Sequence, residues 1–317
     1  MIKVKVLVIG KPTYNFIIPL DNFITEGAKL SIVDKIEQAG GASVYAASLL
    51  GKWGVNVSYT GLVSNDPYGA KIKSHLDSFN VDTKFLEINY ENPNCTSTNF
   101  IILNKTNGSS TEVRRNNPEL NLTKYKYDFV PDYIIMDGTD PDGSMAALNN
   151  YPQATSILFA NRISEKLYDI SKKCNYVVAN STYAKALTKL ELEVKRPKAL
   201  VNFMQKIKDL NKAQYVIMMR EYGVLYTSDN KVKMIPAIQI EKKEDDTHGG
   251  YIFFAAFVYG MINNYGIDNS VKIANIAAGL SLTKVGSINA MLDLADILKI
   301  AGLKEVTEET ATSEVLE

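Results

Sequence analysis

Alternating apolar and polar positions divide the first half of the chain into short strands and amphipathic or apolar helices. "KVLVIG" (5–10) is a buried-strand pattern ended by glycine, and "GGASVYAASLLGKWG" (40–54) predicts a tightly packed helix of small and apolar residues. "VNVSYTGLV" predicts another strand, and Asp66 with Pro67 begins the helix "DPYGAKIKSHLDSFN". "TKFLEINY" and "STNFIILN" predict two strands on either side of "ENPN", with "KTNGSS" as a turn.

The second half alternates more regularly. Strand patterns in "DYIIMDG", "NYVVANS" and "QYVIMMRE" are separated by helical patterns in "SEKLYDISKKC", "TYAKALTKL" and "RPKALVNFMQKI". "GVLYTSDNKVKMIPA" predicts a hairpin, and three helices follow in "IFFAAFVYGMI", "SVKIANIAAGLSLTKVG" and "INAMLDLADILKIA". This alternation predicts an α/β fold with a mostly parallel sheet covered by helices on both faces. Residues 1–303 form one predicted domain, and the acidic tail 304–317 is predicted to be disordered.

One region departs from the alternation. "NFIIPLDNF" and the two strands around Asn94 come without an intervening helix. Two alternatives remain open for them: a small antiparallel β flap that covers a ligand, or an edge extension of the main sheet. The flap, or lid, would be built from residues near 11–38 and 95–117.

Composition narrows the class of protein. The chain has 317 residues, with 35 Lys plus Arg against 35 Asp plus Glu, so the net charge is zero and a non-specific nucleic-acid binder is not expected. Cys95 and Cys174 are far apart, which fits two reduced thiols, although one disulfide stays open. The opening "MIKVKVLVIG" lacks a signal-peptide pattern, and the apolar run 251–262 is too short for a bilayer span of roughly 20 residues. We therefore expect a cytoplasmic protein with no membrane partner.

Searches for short catalytic motifs are negative. No GxxxxGK[ST], GxGxxG after a strand, HExxH, GxSxG or zinc spacing occurs. His75 and His248 are the only histidines. His75, within "KIKSHLD", is expected on the surface of a helix.

The stretch "DDTHGGYIFFAAF" (245–257) is the strongest candidate site. Two glycines stand where a polar segment meets an apolar helical run, and such helix starts present free amide N–H groups to anions. Tyr251, a bulky phenol, enters the helix at this junction.

Five segments, in order, resemble the ribokinase-like, or PfkB, family of carbohydrate kinases. They are "VIGKPTYNFI", "GGASVYAASLLGKWGVNVSYTGLVSNDPYG", "NYVVANSTYAKALT", "DDTHGGYIFFAAFVYG" and "IANIAAGLSLTKVGSINAM". The resemblance implies the ribokinase-like fold, ATP and Mg²⁺ as cofactors, and in-line attack of a sugar or nucleoside hydroxyl on the γ-phosphate. It also implies that pairing of two lids would make a homodimer.

The resemblance assigns a role to each matching position. Tyr251 falls where the family has its catalytic Asp, and Asn180 and Tyr183 fall on the magnesium-organising NxxE motif. The substrate-pocket positions are Asn15, Gly41 and Tyr45. The anion-hole and nucleotide positions are Thr247, His248, Gly249, Gly250, Arg220, Gly223 and Asn275.

Several of these positions depart from the family pattern. The family's sugar-binding Asp and Asn are Asn15 and Tyr45, the Glu of NxxE is Tyr183, and a usual glycine is Arg220. A tyrosine has a pKa near 10, so only ~0.1% of Tyr251 would be ionised at pH 7. The loss of the Glu argues against Mg²⁺. Scaffold positions nevertheless persist: Gly40, Gly41, Gly54, Asp66, Gly69, Gly223 and Gly286.

Alternatives stay open at individual residues. His248 is either a displaced base or part of the turn, and Asp245 or Asp246 either replaces the base or caps the helix. Arg220 either pairs with an anionic ligand or is a solvated strand end. Tyr45 and Tyr183 either stack on a ligand or fill vacated volume. Three lid cations either bind a phosphorylated ligand or form a solvated edge: Lys105, Arg114 and Arg115.

Three hypotheses for function follow. The first is a kinase homologue that has lost most or all sugar phosphorylation and acts by binding a sugar, nucleoside or nucleotide, with a regulatory role. The second is an active carbohydrate or nucleoside kinase with a rearranged site. The third is a structural partner that acts through its lid without a ligand.

Overall fold

The computed structural model describes residues 4–21, 24–92, 94–116, 122 and 126–306. Most of the predicted tail, 307–317, lies outside these residues, as do residues 22, 23 and 117 of the predicted lid segments. Among the described residues no helix combines the length and the apolar character needed to cross a bilayer.

Most of the strands begin and end close to the predicted segments. Their bounds are β1 Val6–Ile9, β2 Thr13–Leu20, β3 Ile36–Gly40, β4 Val57–Ser64, β5 Asp82–Asn89, β6 Thr98–Asn104, β7 Ser110–Arg115, β8 Tyr133–Met136, β9 Thr155–Ala160, β10 Tyr176–Asn180, β11 Gln214–Met218, β12 Val224–Ser228 and β13 Lys231–Ile235. Of these, β3, β7 and β9 were not predicted as separate strands.

The helices occupy both sides of the strands. Their bounds are α1 Ala42–Lys52, α2 Pro67–Ser78, α3 Pro141–Asn150, α4 Glu165–Ser171, α5 Ser181–Thr188, α6 Pro197–Leu210, α7 Gly249–Ile262, α8 Gly266–Ser281 and α9 Leu294–Ala301. As predicted, Asp66 caps α2: its side chain accepts a hydrogen bond from Gly69 N, and Pro67 takes the first helical position.

The large sheet has the order β13-β12-β11-β10-β9-β8-β1-β4-β5 within the described chain. All its pairs from β11 to β5 are parallel, and the hairpin β12–β13 adds two antiparallel strands at one edge. The predicted α/β fold with a mostly parallel sheet is therefore confirmed.

The two faces of this sheet form two cores. Val6 and Val8 of β1 pack with α1, α7 and α8, whereas Leu7 and Ile9 of the same strand pack on the face that carries α3 to α6. Strand side chains alternate between faces, so a strand covered on both sides reads as an unbroken apolar run. Helix α7 is apolar on nearly every side because the sheet, α1 and α8 surround it.

Four strands form a second, small sheet in the order β3-β2-β6-β7. β2 pairs antiparallel with β3 and parallel with β6, and β6 pairs antiparallel with β7. The expected flap is thus mixed rather than purely antiparallel. Of the two strands around Asn94, only β6 belongs to the small sheet, because β5 extends the edge of the large one.

Several local features differ from the sequence analysis. Helix α3 and strand β9 were not predicted, although Asp140 caps α3 through Gly143 N and Pro141 starts it. The last predicted helix begins only at Leu294, so "INAMLD" precedes it. His75 does not lie on the open surface: its Nε2 is 2.9 Å from Ser48 Oγ, and burial lowers its pKa to about 4.

Candidate functional site

A cavity of about 440 Å³ lies between the carboxyl ends of the central strands and the inner face of the small sheet. Lys11 follows β1, Asp137 follows β8 and Asn161 follows β9, and all three line it. β1 has β4 on one side, which the chain reaches through β2, β3 and α1, and β8 to β11 on the other. Ligands of open α/β sheets bind at such a switch point, beyond the carboxyl ends of the strands.

Asp137 provides a buried carboxylate at the bottom of this cavity. Its Oδ2 accepts a hydrogen bond of 3.0 Å from Ser43 N at the start of α1, and its Oδ1 accepts one of 2.9 Å from Thr139 N. Gly10 is the residue that fits beneath it, because a Cβ there would lie 2.6 Å from both carboxylate oxygens. The end of β1, the start of α1 and the end of β8 therefore meet at this one charge.

The small sheet contributes a row of polar side chains. Strand register places Gln38 beside Asn15, Asn15 beside Asn99, and Asn99 beside Arg114. Because side chains alternate across a sheet, these four residues share the inner face, and the last three of them line the cavity.

Asn15 and Tyr45 are hydrogen-bonded to each other. Asn15 Nδ2 donates to Tyr45 Oη at 2.9 Å, and Asn15 Oδ1 accepts from Thr13 Oγ1 at 2.9 Å. Gln38 Nε2 also reaches Tyr45 Oη, at 3.4 Å. Both Asn15 and Tyr45 are buried, and burial raises the pKa of Tyr45, so its phenol is neutral. Gly41, which caps α1 at φ 103°, lines the cavity next to them.

Tyr251 projects from the first turn of α7 into the same cavity. Its ring packs against Tyr45, with 5.4 Å between centroids, and against Phe159, with 5.8 Å. Burial raises the pKa of Tyr251, the Glu112 and Asp137 carboxylates raise it further, and Arg114 opposes the shift. A neutral phenol with a raised pKa cannot act as the base that takes a proton from a hydroxyl at neutral pH.

The two glycines of the candidate anion site form the start of α7. Gly249 and Gly250 are its first two residues, and the amides of Tyr251 and Ile252 both bond to His248 O. The amides of Gly249 and Gly250 donate no hydrogen bond within the described chain, so this terminus has free donors for an anion. Thr247, just before it, lines the cavity.

His248 and Asp245 form a buried pair below this terminus. His248 Nε2 is 2.9 Å from Ser281 O, so Nε2 carries a proton, and Nδ1 lies 3.5 Å from Asp245 Oδ2. Asp245 also accepts from Thr247 N, Thr247 Oγ1 and Gly286 N. Burial alone would raise the pKa of Asp245, but His248 and these donors lower it to about 2. Neither residue lines the cavity, so the structure places both in the turn that supports α7.

The other predicted nucleotide residues lie apart from the cavity. Gly223, at φ 94°, directly precedes β12, and a Cβ there would lie 1.9 Å from Ile235 O. Asn275 donates to Pro236 O at 2.8 Å, so both residues contact the segment after β13. Arg220 sits exposed in a single 3₁₀ turn after β11 and does not line the cavity.

The predicted metal positions do not fit Mg²⁺. Asn180 uses its side chain to begin α5, accepting from Tyr183 N at 2.8 Å and donating to Asn161 O at 2.9 Å. Tyr183 points into the core on the α3–α6 face, with its hydroxyl 3.4 Å from Ser171 Oγ. Mg²⁺ is held by carboxylate and water oxygens, and this pair supplies no carboxylate. Residues 180 and 183 are therefore structural in this arrangement.

Sequence reasoning missed several residues that line the cavity. These are Lys11, Asn99, Glu112, Asp137, Asn161 and Arg162. Asp137 and Asn161 could have been found from the sequence, because each directly follows a buried strand, and ligands bind beyond the carboxyl ends of such strands. Of the three lid cations, only Arg114 lines the cavity; Lys105 pairs with Asp21, and Arg115 donates to Asn94 O.

Comparison with known proteins identifies the family of the chain. A family model described as pfkB family carbohydrate kinase matches residues 3–294. Ribokinase of Bacillus subtilis (strain 168) is 23% identical over 267 residues, 80% of this chain and 84% of the relative. Ribokinase of Lactococcus lactis subsp. lactis (strain IL1403) is 32% identical over 91 residues, so the match spans only 29% of each chain.

A solved structure carries the same fold. Arabidopsis thaliana ribokinase, in complex with ribose and ATP, superposes with a TM-score of 0.78 at 19% identity, covering 96% of this chain and 100% of the ribokinase. At this level of identity the match shows the fold alone.

Proposed function

The chain belongs to the pfkB family of carbohydrate kinases, and we propose that it binds a small polyhydroxylated ligand and a nucleotide in the family's cleft while transferring the phosphoryl group weakly or not at all. The observation that carries this proposal is Tyr251, a partly buried neutral phenol in the cavity at the position where the family resemblance expects an Asp. A positioned general base contributes ~10²–10⁴ in rate. Its replacement by a phenol removes that contribution.

Two features support retained binding. The cavity keeps carboxylate, amide and guanidinium groups in hydrogen-bonding positions, and such groups recognise hydroxyls. The start of α7 keeps two glycines beside it, as an anion site requires. Ribose and ATP, the ligands of the Arabidopsis ribokinase, are the ligand classes that we propose for these two places.

The proposal is tested with the wild-type chain in two assays. Thermal shift with millimolar ADP, ATP and D-ribose measures binding, and we expect stabilisation because a ligand that binds only the folded state raises its stability. A phosphoryl-transfer assay with ATP over pentoses, hexoses and nucleosides measures turnover, which we expect near the background without protein. Robust turnover would contradict the loss of catalysis, and absence of every thermal shift would contradict ligand binding.

A second candidate function is an active kinase with a rearranged site. The specific observation in its favour is Asp137, whose carboxylate lines the same cavity as Tyr251 and could take the role of the base. Turnover by the wild type that disappears in a folded Asp137→Asn variant would support it. Background turnover in both proteins would leave only the binding function.

We also propose that the small sheet joins two copies of the chain. On the opposite face of the small sheet, Phe16 of β2, Phe100 of β6 and Val113 of β7 lie side by side, one residue further along the strands from the polar row. Phe16 and Phe100 stack with centroids 5.0 Å apart, and Phe100 and Val113 are 42% and 59% exposed. Apolar rows on an open sheet face favour association.

A further inference from the structure

One buried polar atom at the cavity has no partner among the described residues. Asn99 on β6 is only 6% exposed and lines the cavity, and its Oδ1 accepts no hydrogen bond. A buried acceptor without a donor costs free energy, so native proteins keep few of them. An unpartnered acceptor beside a cavity points to a donor supplied by a ligand.

The orientation of the Asn99 amide is fixed by its neighbours on β7. Asn99 Nδ2 donates to Glu112 Oε2 at 3.3 Å, and Arg114 Nε donates to the same oxygen at 3.0 Å. A flipped amide would place Oδ1 against the Glu112 carboxylate, where two acceptors repel each other. Glu112 therefore engages Nδ2 and leaves Oδ1 for another donor.

The surrounding groups indicate what kind of donor the ligand carries. Besides Asn99 Oδ1, the acceptors that line the cavity include the carboxylates of Glu112 and Asp137. A polyol presents several O–H donors on a small frame and satisfies acceptors at several points. An apolar ligand would leave Asn99 Oδ1 without a donor and would offer none to the remaining lone pairs of the two carboxylates.

We propose that Asn99 is a specificity-determining residue whose Oδ1 accepts a hydrogen bond from one hydroxyl of a small polyol, and that Glu112 and Arg114 are positioning residues that hold its amide for this contact. This inference rests on the proposed function as a ligand-binding cleft. It goes beyond that function because it assigns one atom of the small sheet to one hydroxyl of the ligand.

Calorimetric titration with D-ribose, D-fructose and the deoxy analogues of each tests the assignment. We expect Asn99→Leu to bind the better sugar ~10-fold more weakly than the wild type. For one deoxy analogue, which lacks the hydroxyl that contacts Asn99, the wild type should bind ~10-fold more weakly than it binds the parent sugar. Asn99→Leu should bind this analogue and the parent sugar equally well, because the variant cannot make the contact with either of them. Equal affinity of the wild type and Asn99→Leu for the sugar overturns the proposal.

The positioning residues are tested with a matched pair of neighbours. Arg114→Gln should weaken sugar binding, because Glu112 then loses the donor that holds it, whereas Arg115→Gln should leave binding unchanged, because Arg115 lies outside the cavity and contacts Asn94 O. Equal effects of the two variants would overturn the positioning role.

A measurement without ligand separates this inference from the proposed function. If no sugar binds the wild type, the proposed function fails, but the melting temperature of Asn99→Leu still decides the role of Asn99. An acceptor reserved for a ligand costs stability in the free protein, and the long 3.3 Å bond from Nδ2 to the partly exposed Glu112 contributes little, so Asn99→Leu should melt no lower than the wild type. A lower melting temperature would show that Asn99 stabilises the fold, and would overturn its assignment to a ligand.

Discussion

Asn15 Nδ2 donates a hydrogen bond of 2.9 Å to Tyr45 Oη, and both residues occupy positions where the family resemblance expects sugar-binding groups. The two substitutions are therefore coupled: the phenol of one position satisfies the amide that replaces the carboxylate at the other. Coupled groups in a buried network behave non-additively, so neither is expected to be restored on its own.

The first prediction concerns this network. Tyr45→Phe removes the acceptor of Asn15 Nδ2 and Gln38 Nε2, both in buried side chains. We expect a loss of about 1–3 kcal/mol in the free energy of unfolding, measured by urea denaturation. Tyr259→Phe is the control, because the Tyr259 hydroxyl is in no hydrogen bond within the described chain and should change stability by at most about 0.5 kcal/mol. Equal losses would show that the network does not stabilise the fold.

The fold could be predicted from the sequence because its strands are covered on both faces and its helices carry local start signals. β1 reads as an apolar run because two cores enclose it, and Asp66 with Pro67 marks the start of α2. The small sheet could not be assembled in the same way. Its pairing of β2 with β6 joins residues more than 80 positions apart, and no local pattern reports such a contact.

Site residues that lie together in one chain segment could be predicted from the sequence. Site residues that several distant segments bring together could not. Gly249, Gly250 and Tyr251 were found because they stand together at one helix start. Asn99 and Asp137 were missed because each becomes part of the site only through strand register or through the end of a distant strand. The motif position of Tyr183 suggested a metal site, but its side chain packs in the core on the α3–α6 face of the large sheet.

The second prediction concerns Tyr251 itself. Tyr251→Asp restores the residue type of a general base, but Asn15 and Tyr45 still occupy the substrate side, and Tyr183 still replaces the family's Glu. We therefore expect phosphoryl transfer from ATP to D-ribose to stay near background, with Tyr251→Phe as the control that removes only the hydroxyl. A gain approaching the ~10²–10⁴ that a base contributes would show that the substrate pocket is intact.

The third prediction concerns acid stability and the buried pair Asp245–His248. Because the folded-state pKa of Asp245 is lowered to about 2 from 3.8, its carboxylate stabilises the fold above pH 4, and that stability is lost as the pH falls towards 2. Asp245→Asn should therefore lower the free energy of unfolding by on the order of 2 kcal/mol near pH 6. The difference from the wild type should shrink between pH 4 and pH 2.

The neighbouring carboxylate supplies the control for this measurement. Asp246 pairs with Lys243 at 3.2 Å at a partly exposed position, where ion pairs contribute little. Asp246→Asn should follow the wild type across the same urea titrations. A difference between Asp245→Asn and the wild type that stays constant from pH 6 to pH 2 would show that the charge of Asp245 is not the stabilising feature.

The fourth prediction concerns association through the small sheet. Phe100→Glu places a charge in the centre of the apolar row formed with Phe16 and Val113, and burying an unpaired charge at an interface is strongly unfavourable. Sedimentation velocity should show a dimer for the wild type and a monomer for Phe100→Glu. Val201→Glu, at a 50% exposed position on α6, is the control and should remain dimeric. A wild type that sediments as a monomer at tens of micromolar contradicts the proposed association, whereas a dimer unaffected by Phe100→Glu places the interface elsewhere on the chain.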